Sequence, residues 1–198
     1  MKTNNEDYSH IPYYENLQKE QKIDENSIAI IRIKSPFGDL LAGASSRGIC
    51  LLEFTDTQRI EMQLMRLKKS HGGHVFIGTN NSFFSSLEKQ LKSYFAKTLR
   101  EFSIPLDIYG TDFQKQAWNA LLSIPYAETR SYQQQAIALG NPKAVRAVAN
   151  ANRNNKISII IPCHRVIGKN GSMTGYGGGI WRKEYLLDLE MGRKLLAQ

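Results

Sequence analysis

The residues best suited to chemistry are Cys163 and His164, set in the run Pro162-Cys163-His164-Arg165-Val166. Cysteine is a strong soft nucleophile only as thiolate, and an ordinary thiol, with a pKa of about 8.5, holds little thiolate at neutral pH. It therefore needs a base or a positive field beside it. His164 is a candidate base, and Arg165 with the surrounding cations is a candidate source of field. Side chains adjacent in sequence do not readily face one another, so a water between thiol and imidazole is the expected relay. A third group must orient the imidazole. The acids that follow, Glu184, Asp188 and Glu190, all qualify on spacing alone.

Positioning such a thiol requires rigid support. The run Ile157 to Ile161 is continuously apolar and ends at Pro162, as expected of a buried element that presents its terminal residues. Downstream, residues 168–179 contain six glycines in twelve positions, with Tyr176 embedded among them and a helix expected after them. Missing side chains in an ordered wall leave room for a flat ligand. The order of these glycines does not match a phosphate-binding fingerprint, which needs a strand before and a helix directly after.

Upstream, Ser131 to Leu139 reads as a short helix stopped by Gly140-Asn141-Pro142, and a second helix is expected to begin at Lys143. Two short helices with a tight turn make a helix-turn-helix candidate, although helical hairpins of this kind also occur in proteins that bind no nucleic acid. Charge adds weight. The chain carries a formal +8, and from Thr129 to Lys183 it has nine Lys or Arg residues and no Asp or Glu. A 55-residue stretch without an acid fits a surface that faces a polyanion, which makes nucleic acid the leading partner. In the second helix Ala144, Ala147 and Ala151 leave little bulk while Arg146 projects. The alanines either pack against the first helix or let a slim helix approach a groove into which Arg146 inserts.

The first part of the chain has a different texture. Ile28–Ile33, Asp39–Ala44 and Gly48–Phe54 read as strands of a small antiparallel sheet, with a turn at Ser35-Pro36-Phe37-Gly38. Asp56–Ser70 permits a helix. Phe84, Leu87, Leu91, Tyr94 and Phe95 step by three and four, with Ser82 as the expected cap. A connection is expected over residues 101–110, followed by a helix capped by Asp112 with Phe113, Ala117, Trp118 and Leu121 on one face. The expected class is α+β: a polar leader over 1–25, an N-terminal domain of sheet and helices over 26–105, and a mostly helical domain over 106–198. The leader has no signal-peptide pattern, which predicts a cytoplasmic protein. Cys50 lies in an apolar strand and reads as core. Two cysteines and four histidines without paired spacing predict neither a disulfide framework nor a metal site.

Taken together, the PCHRV run, SYQQ at 131–134, NPKAVRAV at 141–148, TGYGGG at 174–179 and RKEYLL at 182–187 resemble the O6-alkylguanine-DNA alkyltransferases, the methylated-DNA–protein-cysteine methyltransferases, of bacterial type. SPFG and RGI in the first part extend the resemblance over nearly all the chain after residue 25. The resemblance implies a ribonuclease-H-like N-terminal domain. It implies direct-reversal repair, in which alkyl from O6-alkylguanine, with O4-alkylthymine as a second candidate, passes irreversibly to Cys163, with no cofactor. It further implies a relay from Cys163 through water to His164 and Glu190, with Asn155 holding the adjoining turn. Tyr132 would help rotate the damaged nucleotide out of the duplex, and Arg146 would fill the gap. The DNA-facing set is Tyr132, Gln133, Asn141, Ala144, Arg146 and Ala147, in the minor groove, for a monomer. The extruded base would meet Tyr176, Gly177 and Gly178, and be read by the carbonyls of Cys163 and Val166. The zinc-binding cysteines of some relatives are absent.

Three other readings compete. A non-catalytic lesion-binding protein of similar fold lacks the acceptor cysteine, which is present here. A methylation-sensing regulator needs a further metal-binding domain. A Cys–His hydrolase leaves the acid-free basic stretch without a purpose.

Overall fold

The computed structural model describes residues 26–72, 74–78 and 81–193; the expected leader lies outside the described residues. The described residues form two compact units, one of those up to Glu88 with Ile104–Asp107, the other of Lys89–Ser103 with those from Ile108 to Arg193.

In the first unit β1 (Ile28–Ile33), β2 (Leu40–Ala44) and β3 (Ile49–Phe54) form the expected antiparallel meander, with Ile33 opposite Leu40 and Leu40 opposite Phe54. The sheet is not purely antiparallel, however. After α1 (Ile60–His71), the short β4 (Val75–Ile77) pairs parallel to β1, giving the order β3-β2-β1-β4. A parallel neighbour needs a crossover element, and α1 provides it. Burial of almost every strand residue explains why these runs are continuously apolar rather than alternating. Gly48, at φ 152°, lies against the Pro105 carbonyl, where a Cβ would come within 2.4 Å of the oxygen. That close approach lets Ile49 bridge to Leu106, so part of the connecting segment joins the edge of β3. Ser45, Arg47 and His71 then converge on Asp107, at 2.6, 3.1 and 3.0 Å.

α2 (Ser82–Phe95) runs from the first unit into the second and buries Phe84, Leu87, Leu91 and Tyr94, as its period predicts. Its start differs by one residue: Asn81 Oδ1 accepts from Phe83 N at 2.9 Å, so Asn81 rather than Ser82 does the capping. The same shift occurs at α3 (Asp112–Leu122). Thr111 is the cap, in a reciprocal capping box with Gln114, and Asp112 is the first helical residue, well placed for the helix dipole.

The second unit packs α3 against α4 (Tyr132–Ala138) and α5 (Val145–Arg153). Ser131 and Gln134 form a second capping box, and Gly140 at φ 72° ends the turn after α4. α5 begins at Val145, not Lys143, because Asn141–Ala144 is occupied by a turn closed from Ala144 N to Asn141 O. The buried contact between the helices is partly polar: Gln135 and Asn152 exchange amide hydrogen bonds at 2.7 and 3.2 Å, Gln135 also donates to Ala117 O, and Trp118 Nε1 donates to Ala151 O. Two-residue strands β5 (Arg130–Ser131) and β6 (Val166–Ile167) pair in parallel, and α6 (Ile180–Glu190) closes the unit. Among the described residues no helix is long and apolar enough to cross a membrane.

Candidate active site

The apolar run before Pro162 is buried as expected, yet it is a chain of turns rather than a strand, and Ile159 sits at φ 72°. A β-branched residue in the left-handed region is strained, by roughly 1–3 kcal/mol, and persists only where surrounding packing dictates it. Here the turn is pinned by Asn155, whose Oδ1 accepts from Ile157 N at 3.0 Å and whose Nδ2 donates to Ile161 O at 2.8 Å. The same Nδ2 lies 3.2 Å from Cys163 Sγ. Asn155 therefore ties the turn to the thiol. Cys163 opens a short 3-10 helix, Cys163–Arg165, and is only 4% exposed.

His164 is fully buried, and its Nε2 lies 2.8 Å from Glu190 Oε1. Of the three acids that spacing allowed, geometry selects Glu190; Glu184 is exposed and Asp188 pairs with Arg193. With Nε2–H donating to the carboxylate, the basic lone pair of the imidazole is Nδ1, which is buried and accepts nothing from the described residues. Burial lowers the His164 pKa, outweighing the opposite pull of Glu190, so the ring is neutral at neutral pH and competent to take a proton. Glu190 is itself held by many donors. Oε1 accepts from Tyr94 hydroxyl (2.6 Å), His164 and Arg165 (3.0 Å); Oε2 accepts from Arg165 Nε (2.9 Å) and Ala127 N (3.1 Å). Burial alone would raise its pKa, but the bonds from His164 and Arg165 hold the carboxyl well below the ordinary range.

The expected role of Arg165 changes accordingly. Its charge is compensated by Glu190, and its Nη1 donates to Ile124 O at 2.6 Å. A cation that does interact electrostatically with Cys163 is Lys183 of α6, which is fully buried and reaches the carbonyls of Val166 and Thr174 at 2.5 Å each. Burial brings its pKa down to about 8. Lys183 carried no sequence signal, since a lysine in a polar-looking helix reads as solvated.

The glycine-rich loop is ordered. Tyr132 hydroxyl donates to Thr174 O at 3.0 Å and to Gly175 O at 3.3 Å, and Gly175, at φ 61°, has no space for a Cβ beside that hydroxyl. Tyr176 is buried with its ring edge-on to His164 at 6.5 Å, and Gly177 and Gly178 follow it. The carbonyls of Cys163 and Val166 accept bonds from Val166 N and Lys183 Nζ, respectively.

Of the nine cations in the acid-free stretch, Lys156, Arg165, Arg182 and Lys183 are buried. The outward charge is narrower than composition implied and is concentrated on α5, where Arg146, Asn150 and Arg153 recur at helical spacing on an exposed stripe beside exposed Ala147, with Lys143 just before. Ala151 is buried and Ala144 is half-buried, whereas Ala147 is exposed. Gln133 bonds Pro142 O across the turn at 3.0 Å, and Asn141 is exposed at its tip.

A buried Cys–His–Glu set thus lies in the same unit as a helix-turn-helix. Comparison with known proteins identifies the family. Residues 30–108 match the ribonuclease-like domain of 6-O-methylguanine DNA methyltransferase, and residues 112–192 match its DNA-binding domain. A methylated-DNA–protein-cysteine methyltransferase of Methanosarcina barkeri is 43% identical over 159 residues, 80% of this chain and 94% of that protein. One from Mycobacterium bovis is 58% identical over 110 residues, 56% of this chain and 67% of that protein. The OGT of Mycobacterium tuberculosis in complex with DNA superposes with a TM-score of 0.72 at 43% identity, covering 84% of this chain and 94% of that one. The chain belongs to the methylated-DNA–protein-cysteine methyltransferase family.

Proposed function

We propose that this protein repairs DNA by moving the alkyl group of O6-alkylguanine onto Cys163 Sγ, once per molecule and irreversibly. The observation that carries the reading is the buried set in which Glu190 accepts from His164 Nε2, leaving Nδ1 as the basic nitrogen of the residue that follows a thiol bonded by Asn155. A water bridging Nδ1 and Sγ takes the thiol proton to the imidazole, and Lys183 stabilises the thiolate. Sulfur attacks the alkyl carbon, the C–O6 bond breaks, and its electron pair passes into the guanine ring. The proton that guanine then needs comes from the Tyr132 hydroxyl, which is replenished in turn by the proton left on His164. A thioether is not hydrolysed under ordinary conditions, so no turnover follows.

Chemistry at O6 of a paired guanine requires the nucleotide to leave the stack. The α4–α5 pair lies in the minor groove, Tyr132 assists rotation, Arg146 fills the gap, and Gln133, Asn141, Ala144 and Ala147 line the approach. The extruded base rests against Tyr176, Gly177 and Gly178, read by the Cys163 and Val166 carbonyls. O4-alkylthymine is a second substrate of the same chemistry. The protein acts as a monomer in the cytoplasm without a cofactor, and the DNA complex of the mycobacterial relative supports the choice of partner.

Intact mass with peptide mapping, after mixing the protein with duplex DNA bearing one O6-methylguanine, tests this directly. One methyl on Cys163, stoichiometric and without turnover, is expected; unmodified protein that still binds the lesion overturns the reading in favour of a non-catalytic lesion binder. A second test isolates extrusion. Arg146→Ala is expected to slow repair of duplex DNA about tenfold, equivalent to roughly 1.4 kcal/mol, while reaction with free O6-alkylguanine base changes less than about twofold. Equal losses in both assays remove Arg146 from the extrusion step.

A further inference from the structure

Tyr94 was expected only as a core residue of α2, and its ring is indeed caged by Phe95, Phe102 and Tyr126 at 5.5, 5.3 and 6.2 Å. Its hydroxyl does something the packing does not require. It donates at 2.6 Å to Glu190 Oε1, the same oxygen that holds His164 Nε2 at 2.8 Å. A carboxylate offers about four lone-pair sites, and Glu190 receives five bonds, so its donors share its charge rather than each receiving it whole. We propose that Tyr94 is a positioning residue of the alkyl-transfer relay: by donating to Glu190 Oε1 it fixes that oxygen for His164 and limits how much of the carboxylate charge the imidazole feels. The inference rests on the reaction proposed above.

Burial and the Glu190 charge push the Tyr94 hydroxyl well above its ordinary pKa, so it remains a donor throughout the working range. The groups that face the His164–Glu190 pair come from every neighbouring element. Arg165 lies on the 3-10 helix and Lys183 on α6, and both disfavour charging His164. Tyr126 follows α3, with Arg100 and Arg165 near its ring, and Tyr176 approaches the imidazole from the glycine-rich loop. Withdrawing the Tyr94 donor leaves more negative charge on Oε1, which favours the imidazolium and raises the pKa of His164.

Tyr94→Phe keeps the ring in its cage and removes only the hydroxyl. The His164 ring titration, followed by 15N NMR without substrate, is expected to move up by about half to one pH unit. Single-turnover transfer from O6-methylguanine duplex is then expected to fall about three- to tenfold on the acid limb of its pH profile and less than about twofold on the plateau. Tyr126→Phe, which removes a hydroxyl from the same aromatic cluster, is expected to move neither curve by as much. 3-Fluorotyrosine placed at position 94 is a stronger donor and is expected to shift the titration downward, which keeps the test open if the phenylalanine variant folds poorly. An unmoved His164 titration in both variants, or a transfer rate lowered by one factor at every pH, overturns the proposal and leaves Tyr94 a packing residue. The titration needs no substrate, so it stands even if the wild-type protein transfers no methyl group, an outcome that counts against the proposed reaction alone.

Discussion

Cys163→Ala protein is expected to take up no methyl group from O6-methylguanine DNA and still to bind that DNA. The substitution removes the atom that forms the new bond in the proposed reaction and disturbs little else. Sγ is buried and accepts a hydrogen bond from Asn155, whose loss costs about 1 kcal/mol. The cationic stripe of α5 is untouched. Cys163→Ser is expected to be as inactive, because a hydroxyl is far harder to ionise than a thiol and Lys183 cannot close that difference. Cys50 offers no substitute: it is buried in β3 and its pKa is raised by burial and by Asp107. Intact mass and a fluorescence-anisotropy titration with lesion DNA read both halves of the expectation. Methyl uptake by either variant would place the acceptor elsewhere.

Glu190→Ala is expected to damage folding and transfer together. The carboxylate is the shared acceptor for Tyr94, His164, Arg165 and Ala127, and its removal leaves the Arg165 charge buried without compensation. Breaking a buried pair by deleting one partner costs roughly 3–5 kcal/mol, which for a chain of this size lowers the melting temperature by about 6–20 °C. Transfer suffers separately, since the His164 tautomer is no longer fixed. Glu190→Gln keeps the volume and discloses the charge contribution through pH. A carboxyl whose folded pKa is depressed stabilises the fold above its unfolded pKa, about 4.3, and loses that contribution as pH falls through the folded value. The stability advantage of wild type over Glu190→Gln is therefore expected to be full at neutral pH and to shrink as pH drops below about 4. An advantage unchanged between pH 7 and 3, read by chemical denaturation, would mean that Glu190 contributes shape rather than charge.

Much of the fold was legible because its signals are local. Hydrophobic runs marked β1 to β3, the three-and-four spacing marked α2, and Gly140-Asn141-Pro142 marked the turn before α5. The caps of α2 and α3 were misplaced by one residue, although Thr111 and Gln114 carry the three-residue spacing of a capping box. β4 was missed because three residues are too few for a period, and its parallel pairing depends on where α1 returns the chain. The Cys163–His164 pair was evident from residue type and the likeness to a family, but residue type could not choose among Glu184, Asp188 and Glu190. The donors around Glu190 were invisible for a related reason. Tyr94 lies 96 residues from its partner, and Arg165 seemed a source of field for the thiol until its carboxylate was located.

The amide pair between α4 and α5 has a consequence for how far apart two side chains can be held. Gln135 and Asn152 satisfy one another only in a single alignment of the helices; sliding one by a turn would leave both amides buried and unmatched, at about 1–3 kcal/mol for each lost partner. An apolar contact there would tolerate such slippage. The polar one makes the helical pair a ruler, setting the span between Tyr132 at the start of one helix and Arg146 in the first turn of the next, the two residues to which the proposed extrusion gives the push and the filling of the gap.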